Sequence, residues 1–153
     1  MLFRSDVMEA ILRDQFQRLE LPATAIQWLL DLWHVIQTLD DVADGDVIER
    51  PALDRAIFAA LVGMPANPFF QTYSANLLPV MANAVLKWKA SDDAEKEGNA
   101  DEKSFVWRAS FYDVVLAVVM LCHGPLTSMN AAKHVMALYG ESFDDYRKEF
   151  QNA

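Results

Sequence analysis

Cysteine is nearly missing. Cys122 is the one thiol in 153 residues, which excludes an intrachain disulfide and suits a reducing, cytoplasmic compartment. Its apolar neighbours mark it as an inert core thiol. Glycine is scarce as well, five in all, and no Gly-rich phosphate loop can be drawn from them. The longest unbroken apolar run, Val114 to Cys122, is nine residues, about half of what a bilayer-spanning helix needs, so no membrane span is expected. The opening MLFRSDVMEA acquires acids at once and carries no long apolar region, so no secretory signal is expected. Positive charge is short too: 13 Lys and Arg against 22 Asp and Glu leave a net charge of -9. That balance repels phosphate backbones, and without a basic patch it excludes nucleic acid as a partner.

What is present is apolar and helical in its spacing. Apolar residues make up 53% and recur at three- and four-residue intervals, while sustained period-two alternation is missing, so the chain reads as all-α. The length suits one domain, residues 1–153, with a single core. The expected architecture is an antiparallel bundle of six to seven helices.

The first helix is expected over about Ser5 to Leu19, with Ser5 or Asp6 as cap and Val7, Ile11, Leu12, Phe16 and Leu19 as its stripe. Pro22 opens a second to Asp44, carrying Ile26, Leu29, Leu30, Trp33, Ile36 and Leu39, with Gly45 as the stop. Pro51 starts a third, which Gly63 ends, and MPANP reads as a connector. A fourth, Phe69 to Ala90, contains Pro79 and should kink there. The segment SDDAEKEGNADEK, 91–103, reads as a solvated mobile loop. A fifth helix from Ser104 to His123 stops at Gly124-Pro125, a sixth covers Thr127 to Tyr139, and ESFDDYRKEF supplies a last turn.

QTLDDVADGD places four carboxylates within seven residues at the end of an apolar helix. Asp40 and Asp44 are four apart and share a face, and Asp41 is three from Asp44, so three carboxylates can converge. Like charges repel by roughly 0.2–0.5 kcal/mol per pair at this spacing. At a helix C-terminus acids also oppose the macrodipole by roughly 0.3–1 kcal/mol. Bound Mg2+ would reverse both costs, because a hard cation takes carboxylate oxygens and completes its octahedron with water and phosphate. The plain alternative is a polar interhelix loop in which Asp44 or Asp46 caps the helix begun by Pro51.

LDDVADGD resembles the first aspartate-rich motif, DDxxD, of class I isoprenoid synthases, and DDVADG is close to the wording of their squalene and phytoene synthase branch. The resemblance covers Trp33 to Arg50. It implies an isoprenoid-synthase-like bundle in which Asp40, Asp41 and Asp44 hold Mg2+ against an allylic diphosphate. Arg50-Pro51 is similar to the arginine-containing stretch that follows the motif in the related polyprenyl synthases. By chain order Asp144-Asp145, with Arg147 and Lys148, is the candidate for a second metal motif, or else a solvated face. A chain this short implies a reduced version whose second half a homodimer partner supplies.

Asn76, Asn83 and Lys87 form a polar stripe on the fourth helix. Arg108 and Asp113 interrupt the fifth, with Tyr112 beside them. If these face the aspartates they join a diphosphate site; otherwise Arg108 and Asp113 read as an ion pair at the rim. His34, two turns before Asp41, reads as a hydrogen-bonded core group. Trp28, Trp33, Trp88 and Trp107 read as core, or as the lining of a prenyl pocket. Two other functions suit a small acidic all-α chain: a nucleotide pyrophosphohydrolase, which also binds diphosphate through helix-borne carboxylates and Mg2+, and a non-catalytic helical interaction protein.

Overall fold

The computed structural model describes the backbone of residues 2–151 and the side chains of 6–150. Helix accounts for 83% of the chain, and no strand occurs among the described residues. The chain divides into two compact units, 1–74 and 75–153.

The first unit is built on α2, Ala23–Asp44. It buries Ala25, Ile26, Trp28, Leu29, Leu30, Leu32 and Trp33, a set that covers more than half of its circumference, as expected of a helix packed on several sides. The helix α1, Leu2–Arg18, already begins before Ser5. Its Leu12 and Phe16 are 1% and 0% exposed, whereas Val7 and Ile11 are 44% and 47% exposed and Leu19 is half-buried, so two of the five expected stripe residues are core. Gly45 closes α2 with φ 74, and the Asp46 amide donates to the Asp41 carbonyl at 3.0 Å, a Schellman turn.

The helix α3, Arg50–Phe58, has its Pro in the first turn and Glu49, not Asp44 or Asp46, as N-cap. It runs on through a π-helical turn, Ala59–Gly63, into α4, Met64–Ala66. Pro65 explains the wider turn: its ring would crowd the Leu61 carbonyl in a regular helix. Gly63 therefore does not end the helix. A Cβ there would meet Asp31 Oδ2 of α2 at 3.3 Å, so glycine serves close approach instead.

The MPANP connector is held by Asn67. Its amide donates to the Thr24 carbonyl at 3.0 Å, and its oxygen accepts from the Phe69 and Phe70 amides at 2.8 and 3.2 Å. Asn67 thus caps α5, Pro68–Lys96. Phe70 stacks on Trp28 with centroids 5.6 Å apart. The kink expected at Pro79 appears at Tyr73, φ -115 and ψ 17, just before the Ala75 carbonyl that Pro79 leaves without a donor.

In the second unit α5 continues to Lys96, so 91–96 is helix and not loop. Pairs four residues apart, Lys89 with Asp93 and Lys96 with Asp92, sustain it. Ser91, Asp92 and Ala100 are buried, which overturns the expected solvated segment. After Gly98, φ 77, Asp101 and Ser104 form a reciprocal capping box that opens α6, Glu102–Trp107.

The element α7, Phe111–Met136, comprises two helical stretches that meet across a kink at Gly124, φ 77 and ψ 178, the expected stop of the fifth helix. Phe111, Val114, Val115, Val118 and Val119 form its buried stripe. It is the one described helix long and apolar enough to cross a membrane, and only 22% of its most apolar stretch is buried. The last helix is α8, Phe143–Gln151.

Phe16→Ala should cost about 3–5 kcal/mol, whereas Ile11→Ala should stay within about 0.5 kcal/mol. Urea unfolding of the two variants beside the parent checks the difference.

Candidate functional site

The polar side chains of α2 gather on one face near its C-terminal end. His34, Thr38 and Asp41 follow one another at intervals of four and three residues, with Gln37 beside them, against an otherwise apolar helix. They form one wall of a cavity of about 240 Å3. Glu49, Pro51, Ala52 and Arg55 from the start of α3 form the other, Val47 and Ile48 of the connector close it, and Asp6 of α1 stands at its side. Thr38 is 7% and His34 9% exposed.

Behind this wall lies Glu9. Arg55 donates to it through both terminal nitrogens, at 3.1 and 3.5 Å, and Arg13 donates at 3.3 Å from the next turn of α1. Burial works against the Glu9 charge, but the Arg55 hydrogen bond and charge, with His34 behind them, outweigh it and hold the carboxyl below its usual 4.5. His34 Nε2 is buried and lies 3.2 Å from Glu9 Oε2. Burial, then the charge of Arg55, keeps the His34 pKa below 6.5 against the pull of Glu9.

Of the three aspartates expected to hold a metal, Asp41 alone lines the cavity. Burial, with Asp46 and Asp40 close by, raises its pKa. Asp40 is half-buried and not part of the lining, and Asp44 is exposed. Among the described residues no group of three or more His, Cys, Asp or Glu could hold a metal ion by itself. Arg50 points away, 79% exposed and bonded through Nε to Asp54 at 2.7 Å. The cavity arginine is Arg55 instead. Sequence reasoning missed Arg55, Gln37, Thr38 and Glu9. The polar stripe 34, 37, 38, 41 was the readable signal, since it breaks the apolar pattern of α2 with helical spacing.

In the second unit Asn76 and Asn83 are exposed. Lys87 Nζ donates to Asp113 Oδ2 at 2.8 Å and lies 5.7 Å from the Trp107 ring. Asp113 thus pairs with Lys87 and not with Arg108, contrary to the expected rim pair. The guanidinium of Arg108 covers Tyr146 and Phe150 at 4.9 and 5.5 Å. Its Nη1 sits 3.6 Å from both Glu95 and Glu141, too far for a hydrogen bond. Burial opposes the charge of Arg108, and the two glutamates reverse that and raise its pKa. Tyr146 is 1% exposed; its hydroxyl donates to Glu95 at 2.9 Å and lies 2.6 Å from Ser104 Oγ. Burial above all pushes its pKa up to about 12. These contacts fasten α8 to α6 and to the end of α5. Asp144 and Asp145 are exposed, with Arg147 bonded to Asp144 at 3.1 Å.

Comparison with protein-family models, curated proteins and solved structures finds no match.

The Glu9 and His34 shifts act in the same direction, and the raised Asp41 opposes them only at lower pH, around its own carboxylate range. A depressed Glu9 contributes stability above its unfolded value near 4.5 that fades as pH falls through its lower folded value. A depressed His34 contributes fully above 6.5 and loses its share as acid protonates it below that. The urea midpoint should therefore fall on acidification below pH 6.5, less so in His34→Gln, and the His34 ring resonances should titrate below 6.5. Tyr146→Phe should cost about 1–2 kcal/mol and speed amide exchange in α8, read by hydrogen-exchange mass spectrometry.

Proposed function

We propose that the first unit binds a small diphosphate together with Mg2+ in the cavity at Asp41. The observation that supports this reading is that Asp41, the second aspartate of the DDxxD wording, shares a half-open cavity with the Arg55 guanidinium and the Thr38 hydroxyl. The donor set fits a hydrated ion better than a caged one. Mg2+ is commonly bound by one or two carboxylates and keeps water and phosphate oxygens for the rest, so one contact at Asp41 suffices where a three-aspartate cage does not form. When bound, the ion would supply charge neutralisation between carboxylate and phosphate.

The chain's own residues divide the remaining work. Arg55 offers its guanidinium to phosphate oxygens, with Glu9 fixing its position from behind. Thr38 and Gln37 offer hydrogen bonds. With Asp6, Asp41 and Glu49 in the lining, the cavity repels a bare anion, so diphosphate enters only with its cation. At about 240 Å3 the space is below the roughly 300–1,000 Å3 of cavities that take drug-sized ligands. Val47, Ile48, Pro51 and Ala52 leave room for a short apolar tail. This reading keeps the metal and diphosphate chemistry of the isoprenoid synthase resemblance, moves the arginine from Arg50 to Arg55, and leaves turnover open.

Thermal melting tests it. Mg2+ with pyrophosphate should raise the melting temperature, by as much as roughly 2.7 kcal/mol of stabilisation at 100 times the dissociation constant, while pyrophosphate alone should not. Asp41→Asn should abolish the shift and Arg50→Gln should leave it intact. No shift with the pair, or one that survives Asp41→Asn, overturns the reading in favour of a non-catalytic interaction protein; a shift only with nucleoside triphosphate favours the pyrophosphohydrolase.

A further inference from the structure

The downstream half of α7 turns its apolar side chains outward. Leu126, Met129 and Met136 are 79%, 75% and 74% exposed, while Val135 on the opposite side is 1% exposed. At 3.6 residues per turn, Leu126, Met129, Lys133 and Met136 fall within about 80° of the helix circumference. Three large apolar residues so exposed on one stripe mark a surface that another molecule covers.

We infer that this stripe is the two-fold interface of a homodimer, in which α7 pairs antiparallel with α7 of a second copy. Two observations select that occupant. The first is spacing: the intervals 3, 4 and 3 between Leu126, Met129, Lys133 and Met136 read the same in both directions. An antiparallel pair therefore sets Leu126 against Met136 of the second copy and Met129 against the aliphatic stem of its Lys133, and the reverse, as an isologous contact requires. Methionine tolerates the small mismatches such a crossing leaves.

The second is charge. Each copy carries -9, and two such bodies repel wherever their acids face each other. From Val114 to Tyr139 there is no Asp or Glu, so α7 offers a place where two copies meet without opposing carboxylates. A bilayer fits less well. The same net charge is repelled by anionic lipid.

The inference stands apart from the cavity, since its residues all belong to the second unit. Sedimentation equilibrium on the full chain tests it. A monomer–dimer equilibrium is expected, strengthened by added salt, which screens the net repulsion. Met129→Glu should weaken it by at least about tenfold without changing the circular dichroism spectrum. Lys133→Met should tighten it. A chain that stays monomeric over its whole soluble range overturns the inference, as does a dimer indifferent to both Met129→Glu and Leu126→Glu. So does flotation with phosphatidylcholine or phosphatidylglycerol vesicles that Met129→Glu abolishes.

Discussion

The Glu9 carboxylate is the point on which the first unit turns. It is 83% buried at the side chain, being 17% exposed, and two arginines and a histidine surround it. Arg13 belongs to its own helix, His34 to α2 and Arg55 to α3, so one anion ties three helices together. A buried charge without partners would cost several kcal/mol, and a carboxylate held by charge-assisted hydrogen bonds recovers much of that. The arrangement gives little net stability for its size. What it specifies is register: the helices can pack only where the three basic groups reach the same two oxygens.

The cavity follows from that constraint. Arg55 is drawn toward Glu9 from behind, which leaves the outer face of its guanidinium toward the space that Asp41, Thr38 and Gln37 line. His34 stands in the same wall, its Nε2 beside the Glu9 carboxylate. The second unit uses the same device in another form. Arg108 lies between Glu95 and Glu141 and over the rings of Tyr146 and Phe150, so α8 is fastened by cation–π contact and by the Tyr146 hydroxyl instead of by a short ion pair.

The helices were largely legible because Pro and Gly punctuate them where capping physics says they should. The boundaries of α2 are within a residue of those implied by Pro22 and Gly45. Errors cluster where side chains override such punctuation. Pro65 is absorbed by a π-helical turn, so MPANP is not a loop. Ion pairs at four-residue spacing carry α5 to Lys96 through a segment whose composition alone suggests solvation. At Gly124-Pro125, by contrast, two helical stretches do meet across a kink, as the punctuation implies.

Spacing pointed to the turn of α2 that lines the cavity but not to the other residues that line it. Helical periodicity showed that Asp40, Asp41 and Asp44 lie near one another; it could not say which of them meets an enclosed space, because that depends on how α3 returns across α2. Glu9 and Arg55 are 46 residues apart, and no local pattern connects them. Asn76, Asn83, Lys87 and Arg108 look alike as polar interruptions of apolar helices, yet the first two are exposed while Lys87 and Arg108 have their own carboxylate neighbours.

Gly124 adopts φ 77 and ψ 178, and a methyl group added there would meet nothing within 4 Å. Space is not what requires glycine; handedness is. The bearing of everything from Pro125 to Met136 is thereby entrusted to one torsion that other amino acids resist. The outward turn of the Leu and Met side chains beyond it is in that sense written by a missing carbon.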